Sequence, residues 1–345
     1  MSKPVSARPA IPPQERDTGK MIETKVNSVM ESMSFIFLIF IITYFVLIIP
    51  SLIRMYDFLN ERNVIVQLSE YLFTPVGVVL SHLLYKFSTT TLINAWRPNI
   101  SATVFRQNES PEQRVQRLGG YIYSAIYYTV SWVSLLYMTY DTIFCPPEFG
   151  GRLEITQSLA IWPYEVSKPI RLYYMLTLGH HIERLIHELV HNRKTTSFNT
   201  MTFHHVVTIM LIFLSFYCRH LMFGIPVLLT HDFNDIFLNI SRFLRESQYV
   251  NTASFFVLAM MVSWWYTRIW IYSKHILYGL FYNAMNLTEF TRQFFFMQVF
   301  FIPALLGLLI LNLFWFFQIC RVILWRFVKK EKMLPMEDFK NKKSK

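Results

Sequence analysis

The sequence predicts an all-α, polytopic membrane protein, a helical bundle of seven or eight transmembrane helices, and three observations carry that prediction. The chain of 345 residues is 53% hydrophobic and only 16% charged, where a soluble domain carries about 25% charged residues. Apolar runs of about 20 residues recur along it, the length a helix needs to cross a bilayer. The runs are continuous rather than alternating over about ten residues, which argues against a β-barrel.

Taken in order, residues 1–33 hold Pro4, Pro9, Pro12 and Pro13 among mixed charges and read as a disordered N-terminal arm. The arm lacks the layout of a cleaved signal peptide, and Glu15 and Asp17 make it a poor transit peptide. Residues 34–54, ended by Pro50 and Arg54, are the first expected transmembrane helix, acting as a retained signal anchor. Residues 55–118 read as a linker. Within it Tyr71–Trp96 is apolar enough to span, but Pro75, His82, Lys86 and the Ser/Thr cluster at 88–91 also suit an amphipathic or re-entrant helix. Arg97–Gln116 is polar and reads as a loop. Further spans are expected at Tyr121–Tyr140, Ile170–His191, Phe203–His220, Phe223–Phe243, Thr252–Ile276 and Gln298–Trp325, with a loop from Cys145 to Pro169.

The net charge of +11 does not point to nucleic acid, because the basic residues sit at helix ends and in the tail at 327–345. With seven spans the Arg- and Lys-rich loops at 54–118, 192–202 and 242–250 share one side with the tail, and the basic-poor loop at 144–169 lies opposite. That asymmetry predicts a cytosolic C-terminus. The basic N-terminal arm is then an exception, which an eighth span removes. The final Lys342-Lys343-Ser344-Lys345 resembles a dilysine retrieval signal and implies an endoplasmic reticulum membrane. Cys145, Cys218 and Cys320 are too scattered for a disulfide framework or a zinc ribbon and read as small hydrophobes.

Against this apolar background one polar constellation stands out. Phe203-His204-His205-Val206-Val207-Thr208 is followed, 27 residues after the histidines, by His231-Asp232-Phe233-Asn234-Asp235. Ionisable groups at bilayer depth cost roughly 2.5–3.5 kcal/mol each and mark functional sites by default. On a helix His204, Thr208, Leu211 and Ser215 form one stripe, and so do His231, Asp235, Asn239 and Arg242. A short connection near Met222 makes the two helices antiparallel neighbours, so the groups meet at one depth. A carboxylate beside an imidazole fixes its tautomer and raises its basicity. Such a histidine abstracts a proton or carries an acyl group. The plainer reading is a set of helix–helix hydrogen bonds, worth about 1 kcal/mol each.

Two metal readings compete. His187-Glu188-Leu189-Val190-His191 matches the zinc-protease pattern H-E-x-x-H. It has no third ligand recognisable by motif, and Arg184, Arg193 and Lys194 surround it with positive charge. A di-iron lipid oxidase needs repeated histidine boxes, and here only isolated pairs occur. Neither metal reading is favoured, and no metal site is assigned.

At the paired histidines the sequence resembles the TLC-domain superfamily and, within it, the ceramide synthases. Their signature HHxxTxxL…S…G…HDxxD is matched by His204, His205, Thr208, Leu211, Ser215, Gly224, His231, Asp232 and Asp235. Tyr173-Tyr174, Phe198-Asn199-Thr200-Met201, Trp265, Arg268, Leu311 to Trp315 and Arg321 resemble flanking family features, as in fungal and protist members. The resemblance implies a six-helix TLC core, here 119–326, enclosing a tunnel open to the cytosol and membrane, with one or two N-terminal helices added. It implies transfer of a fatty acyl group from acyl-coenzyme A, a co-substrate rather than a cofactor, to the amine of a sphingoid base. By the same resemblance the catalytic residues are His204, His205, Asp232 and Asp235. The substrate-binding positions are His231, Thr208, Ser215, Arg193 and Lys194, the last two for coenzyme A phosphates. Expected partners are membrane lipid, acyl-coenzyme A and the sphingoid base, with a homodimer or a small accessory subunit allowed by resemblance alone.

The chain departs from the family in places. Lys194-Thr195-Thr196-Ser197 replaces a basic run, Arg219 and Met222 stand where other polar residues are common, Asn239 replaces a Glu or Ser, and the homeobox-like insert is missing. The weakened basic run favours the alternative, a non-catalytic TLC protein that binds lipid or serves a membrane complex.

Overall fold

Helix follows helix throughout the part of the chain that the computed structural model describes, residues 48–65, 67–96, 110–191, 198–246 and 249–329. The main helices are α1 (48–61), α2 (Ser69–Trp96), α3 (Pro111–Thr139), α4 (Lys168–His191), α5 (Phe198–Tyr217), α6 (Leu221–Leu244), α7 (Thr252–Met285) and α8 (Phe295–Lys329). No strand occurs among the described residues. Five of these helices, α2, α5, α6, α7 and α8 as far as Arg321, are long and apolar enough to cross a membrane. The arm at 1–33 and most of the expected first span lie outside the described residues, as does the tail beyond Lys329.

The stretch left open between a span and an interfacial helix is the continuous helix α2, 28 residues long. Its Ser/Thr cluster does not break it. Thr89 and Thr90 donate their hydroxyls to the carbonyls of Tyr85 and Lys86, so the polar groups are satisfied within the helix. α2 packs on α4 where two glycines meet. A Cβ on Gly179 would stand 2.3 Å from the Thr74 carbonyl oxygen, and one on Gly77 would stand 2.6 Å from that of Leu176.

α3 begins ten residues before the expected start at Tyr121. Ser110 and Gln113 form a capping box and Pro111 sits in the first turn, a strong local start signal. The polar first turns are held because Arg114 and Arg117 converge on the buried Glu246 just after α6, with Arg117 Nη2 2.9 Å from Oε2. α3 and α4 are both expected as spans, yet neither is among the five helices long and apolar enough to cross a membrane. α4 turns its polar residues inward, with His180, His181, Glu183 and Glu188 all buried.

α5 and α6 are joined by residues 218–220 alone, which makes them antiparallel neighbours; Met222 itself lies in α6. Arg219 takes a positive φ of 56° in this link and donates to the carbonyls of Val64 (2.8 Å) and Ile65 (3.1 Å). α7 continues past the expected end at Ile276 because Trp264–Leu277 winds as a π-helix and the chain then resumes α-helix to Met285. Wide turns of this kind are common at functional sites. The 144–169 loop is pinned to α7 by Glu148, which accepts from Lys274 Nζ and His275 Nε2, each at 2.8 Å.

Candidate active site

α5 and α6 face each other across a cavity that α3, α4 and α8 complete. Its volume is about 670 Å³ with its open mouth included. From α5 come His204, Thr208, Leu211 and Ser215, the stripe expected from helical spacing. From α6 come Gly224, His231, Asp232 and Asp235, so both halves of the constellation line one space. His181 of α4 and Tyr128 of α3 add to the polar side. Phe301, Leu305 and Leu308 of α8 join Leu211, Phe223 and Leu228 on the apolar side. A mostly apolar wall with a few convergent polar groups is the usual make-up of a small-molecule site.

Each acidic residue is held by a donor from another helix. Ser131 of α3 donates to Asp232 Oδ2 at 2.7 Å, and Tyr173 of α4 in turn donates to Ser131 Oγ at 2.8 Å. Arg268, in the π-helical stretch of α7, pairs with Asp235 at 2.6 Å and donates to the His231 carbonyl at 3.0 Å. Its guanidinium lies 4.3 Å from the centroid of the Trp264 ring. Trp264 is buried and Trp265 is 53% exposed, so of this pair Trp264 serves the site.

The three histidines of the motif differ in how they are used. His231 Nδ1 lies 2.8 Å from the Val227 carbonyl, and its Nε2 lies 3.1 Å from Asn312 Nδ2 of α8. The carbonyl can only accept and the amide nitrogen can only donate, which assigns the proton to Nδ1. With both nitrogens engaged by protein, His231 sets the position of α6 against α8. His204 lines the cavity edge-on to Trp315, and its Nδ1 has no hydrogen-bond partner among the described residues. His205 is buried beside it, with ring centroids 5.5 Å apart and Nδ1 likewise unpaired, but it does not line the cavity.

Thr208 and Ser215 lie further along the α5 stripe, and Ser215 Oγ donates to the Ile212 carbonyl at 3.2 Å. Gly224 is required here, since a Cβ would come within 2.5 Å of Tyr174 Oη and 2.7 Å of Ser215 Oγ. Arg193 and Lys194 lie outside the described residues. The HELVH histidine His187 bonds Tyr85 Oη at 3.0 Å, which ties α4 to α2. Among the described residues no group of three or more His, Cys, Asp or Glu side chains converges as a metal site would require.

Ser131, Tyr128 and His181 were not among the expected site residues. A serine or tyrosine in a membrane helix is ordinary in sequence, and only its opposition to Asp232 across the α3–α6 contact gives it meaning. Arg268 carried a weak signal, a lone cation in an apolar run, which is costly unless paired.

The family model for the TLC domain matches residues 120–321. Similar curated proteins include ceramide synthase 4 of Homo sapiens, 31% identical over 173 residues, covering 50% of this chain and 42% of that protein. Ceramide synthase hyl-2 of Caenorhabditis elegans is 25% identical over 218 residues (61% of this chain, 64% of that protein). Ceramide synthase LOH2 of Arabidopsis thaliana is 28% identical over 168 residues (47% and 55%). The chain thus spans between 42% and 64% of the length of these relatives.

Proposed function

The chain belongs to the TLC-domain family, and from that premise we propose that it transfers a fatty acyl group from acyl-coenzyme A to the amine of a sphingoid base. The observation that carries the reading is the shared cavity, where His204, Asp232 and Asp235 face an apolar wall that suits a hydrocarbon chain. His204 is the residue placed to act, because its Nδ1 is not consumed by a protein partner. It either takes the proton of the attacking amine or receives the acyl group. Asp232 and Asp235, fixed by Ser131 and Arg268, line the same cavity as His204 and receive the amine. His205 supports His204 from behind. Thr208 and Ser215 border the acyl chain, and His231 shapes the wall. Arg193 and Lys194 hold the coenzyme A phosphates. The endoplasmic reticulum membrane is the proposed location, with the C-terminus cytosolic.

Purified protein incubated with a long-chain acyl-coenzyme A and dihydrosphingosine tests the reading. Amide should form with wild type and fall at least about a hundredfold in His204→Ala and Asp235→Ala. If wild type binds the lipid but yields no amide under conditions that support a known synthase, the chain is the non-catalytic lipid-binding alternative.

A further inference from the structure

We propose that α4 carries a proton path from the cavity to its exposed end at His191, through His181, His180, Tyr123, Tyr85 and His187. The proposal rests on the acyl-transfer reading, whose proton balance releases one proton from the site. A sphingoid base arrives as an ammonium ion with three N–H protons, and the amide nitrogen keeps one. As the C–S bond breaks and the C–N bond forms, one proton goes to the thiolate of coenzyme A. The other must leave the site.

The side chains that line this route are closely spaced. His181 lines the cavity, and its ring centroid is 5.2 Å from that of His180. His180 Nδ1 lies 2.9 Å from Tyr123 Oη of α3. Tyr123 packs edge to face on Tyr85 of α2 with centroids 5.7 Å apart, a step that requires an ordered water between them. Tyr85 Oη lies 3.0 Å from His187 Nε2, and the His187 and His191 rings are 4.7 Å apart. Imidazoles and phenols both donate and accept, so each member can pass a proton on. From His181 to exposed His191 the helix rises about 15 Å.

A second feature along the route is unused hydrogen-bonding capacity. His181 Nδ1, His180 Nε2 and His187 Nδ1 are all buried with no hydrogen-bond partner among the described residues. Buried polar atoms that protein leaves unpaired are met by ordered water. The charged groups facing the route are Arg184, over the Tyr85 and Tyr123 rings at 5.7 and 5.9 Å, and Glu183, which lies 3.5 Å from His82 and pairs with Arg184 Nη1 at 3.9 Å.

The test uses the full chain with Tyr85→Phe, which keeps the ring packing, and His187→Gln. Each should lower kcat about tenfold with KM for both substrates unchanged, and added imidazole buffer should restore much of the rate. Variants that turn over like wild type would overturn the path. So would a loss that imidazole does not restore, which marks a structural role. Wild type that forms no amide removes the acyl-transfer reading itself and the proposal with it, and the wild-type arm reports that outcome separately.

Discussion

Asp232 and Asp235 sit in the same helix but are held by different chemistry, and single substitutions should separate them. Ser131→Ala removes a neutral donor from a buried carboxylate. A hydrogen bond to a charged group is worth about 1.5–3 kcal/mol, so kcat should fall about tenfold or more, with KM for the acyl donor nearly unchanged in steady-state assays. Arg268→Met leaves the largely buried Asp235 without its cation and should cost about 3 kcal/mol of stability in detergent unfolding. Adding Asp235→Asn to Arg268→Met should recover part of that loss, since the pair is then neutral on both sides. At this scale the sequence was informative about charge and silent about partners. His204, Asp232 and Asp235 stood out because charge in an apolar helix is rare. Ser131 and His181 acquire their roles only from which helices pack together.

At the scale of elements, helical spacing located the α5 and α6 stripes because period 3.6 survives in any apolar helix. No such stripe is legible at α7, where the stretch Trp264–Leu277 is π-helical and Arg268 pairs with Asp235 beside buried Trp264. Polarity places the start of α3 too late, because Arg114 and Arg117 look like loop residues until their partner Glu246 is known. The α2–α4 contact offers a direct check. Gly179→Ala drives a methyl into the Thr74 carbonyl and should destabilise the protein by about 1–3 kcal/mol. Gly307→Ala, in α8, meets nothing within 4 Å and should leave stability unchanged or raise it by about 0.5–1 kcal/mol. Thermal melting of the two variants in one detergent compares them.

For the whole molecule, the groups outside the spans predict lability to acid. His220, in the α5–α6 link, stacks on Phe290 with ring centroids 4.3 Å apart, and burial lowers its pKa from 6.5 to about 3. The unfolded chain therefore binds the extra proton first, and stability falls as pH drops from about 6.5 toward 3. Burial pushes the Glu148 carboxyl up, but the hydrogen bonds from Lys274 and His275 outweigh it and leave the pKa below 4.5. Its contribution is present above 4.5 and is lost as pH falls through the lower folded value. The melting temperature should decline between pH 6.5 and 4.5 in wild type, and His220→Phe should flatten that limb. An unchanged decline in the variant would assign it to other groups.

The most direct test of the cavity as an acyl-transfer site is a structure with a non-transferable thioether analogue of a long-chain acyl-coenzyme A. The acyl chain should lie between Leu211, Phe223, Leu305 and Leu308, with the carbon next to sulfur beside the His204 ring. A chain bound elsewhere, with His204 and Asp235 out of its reach, would contradict the account.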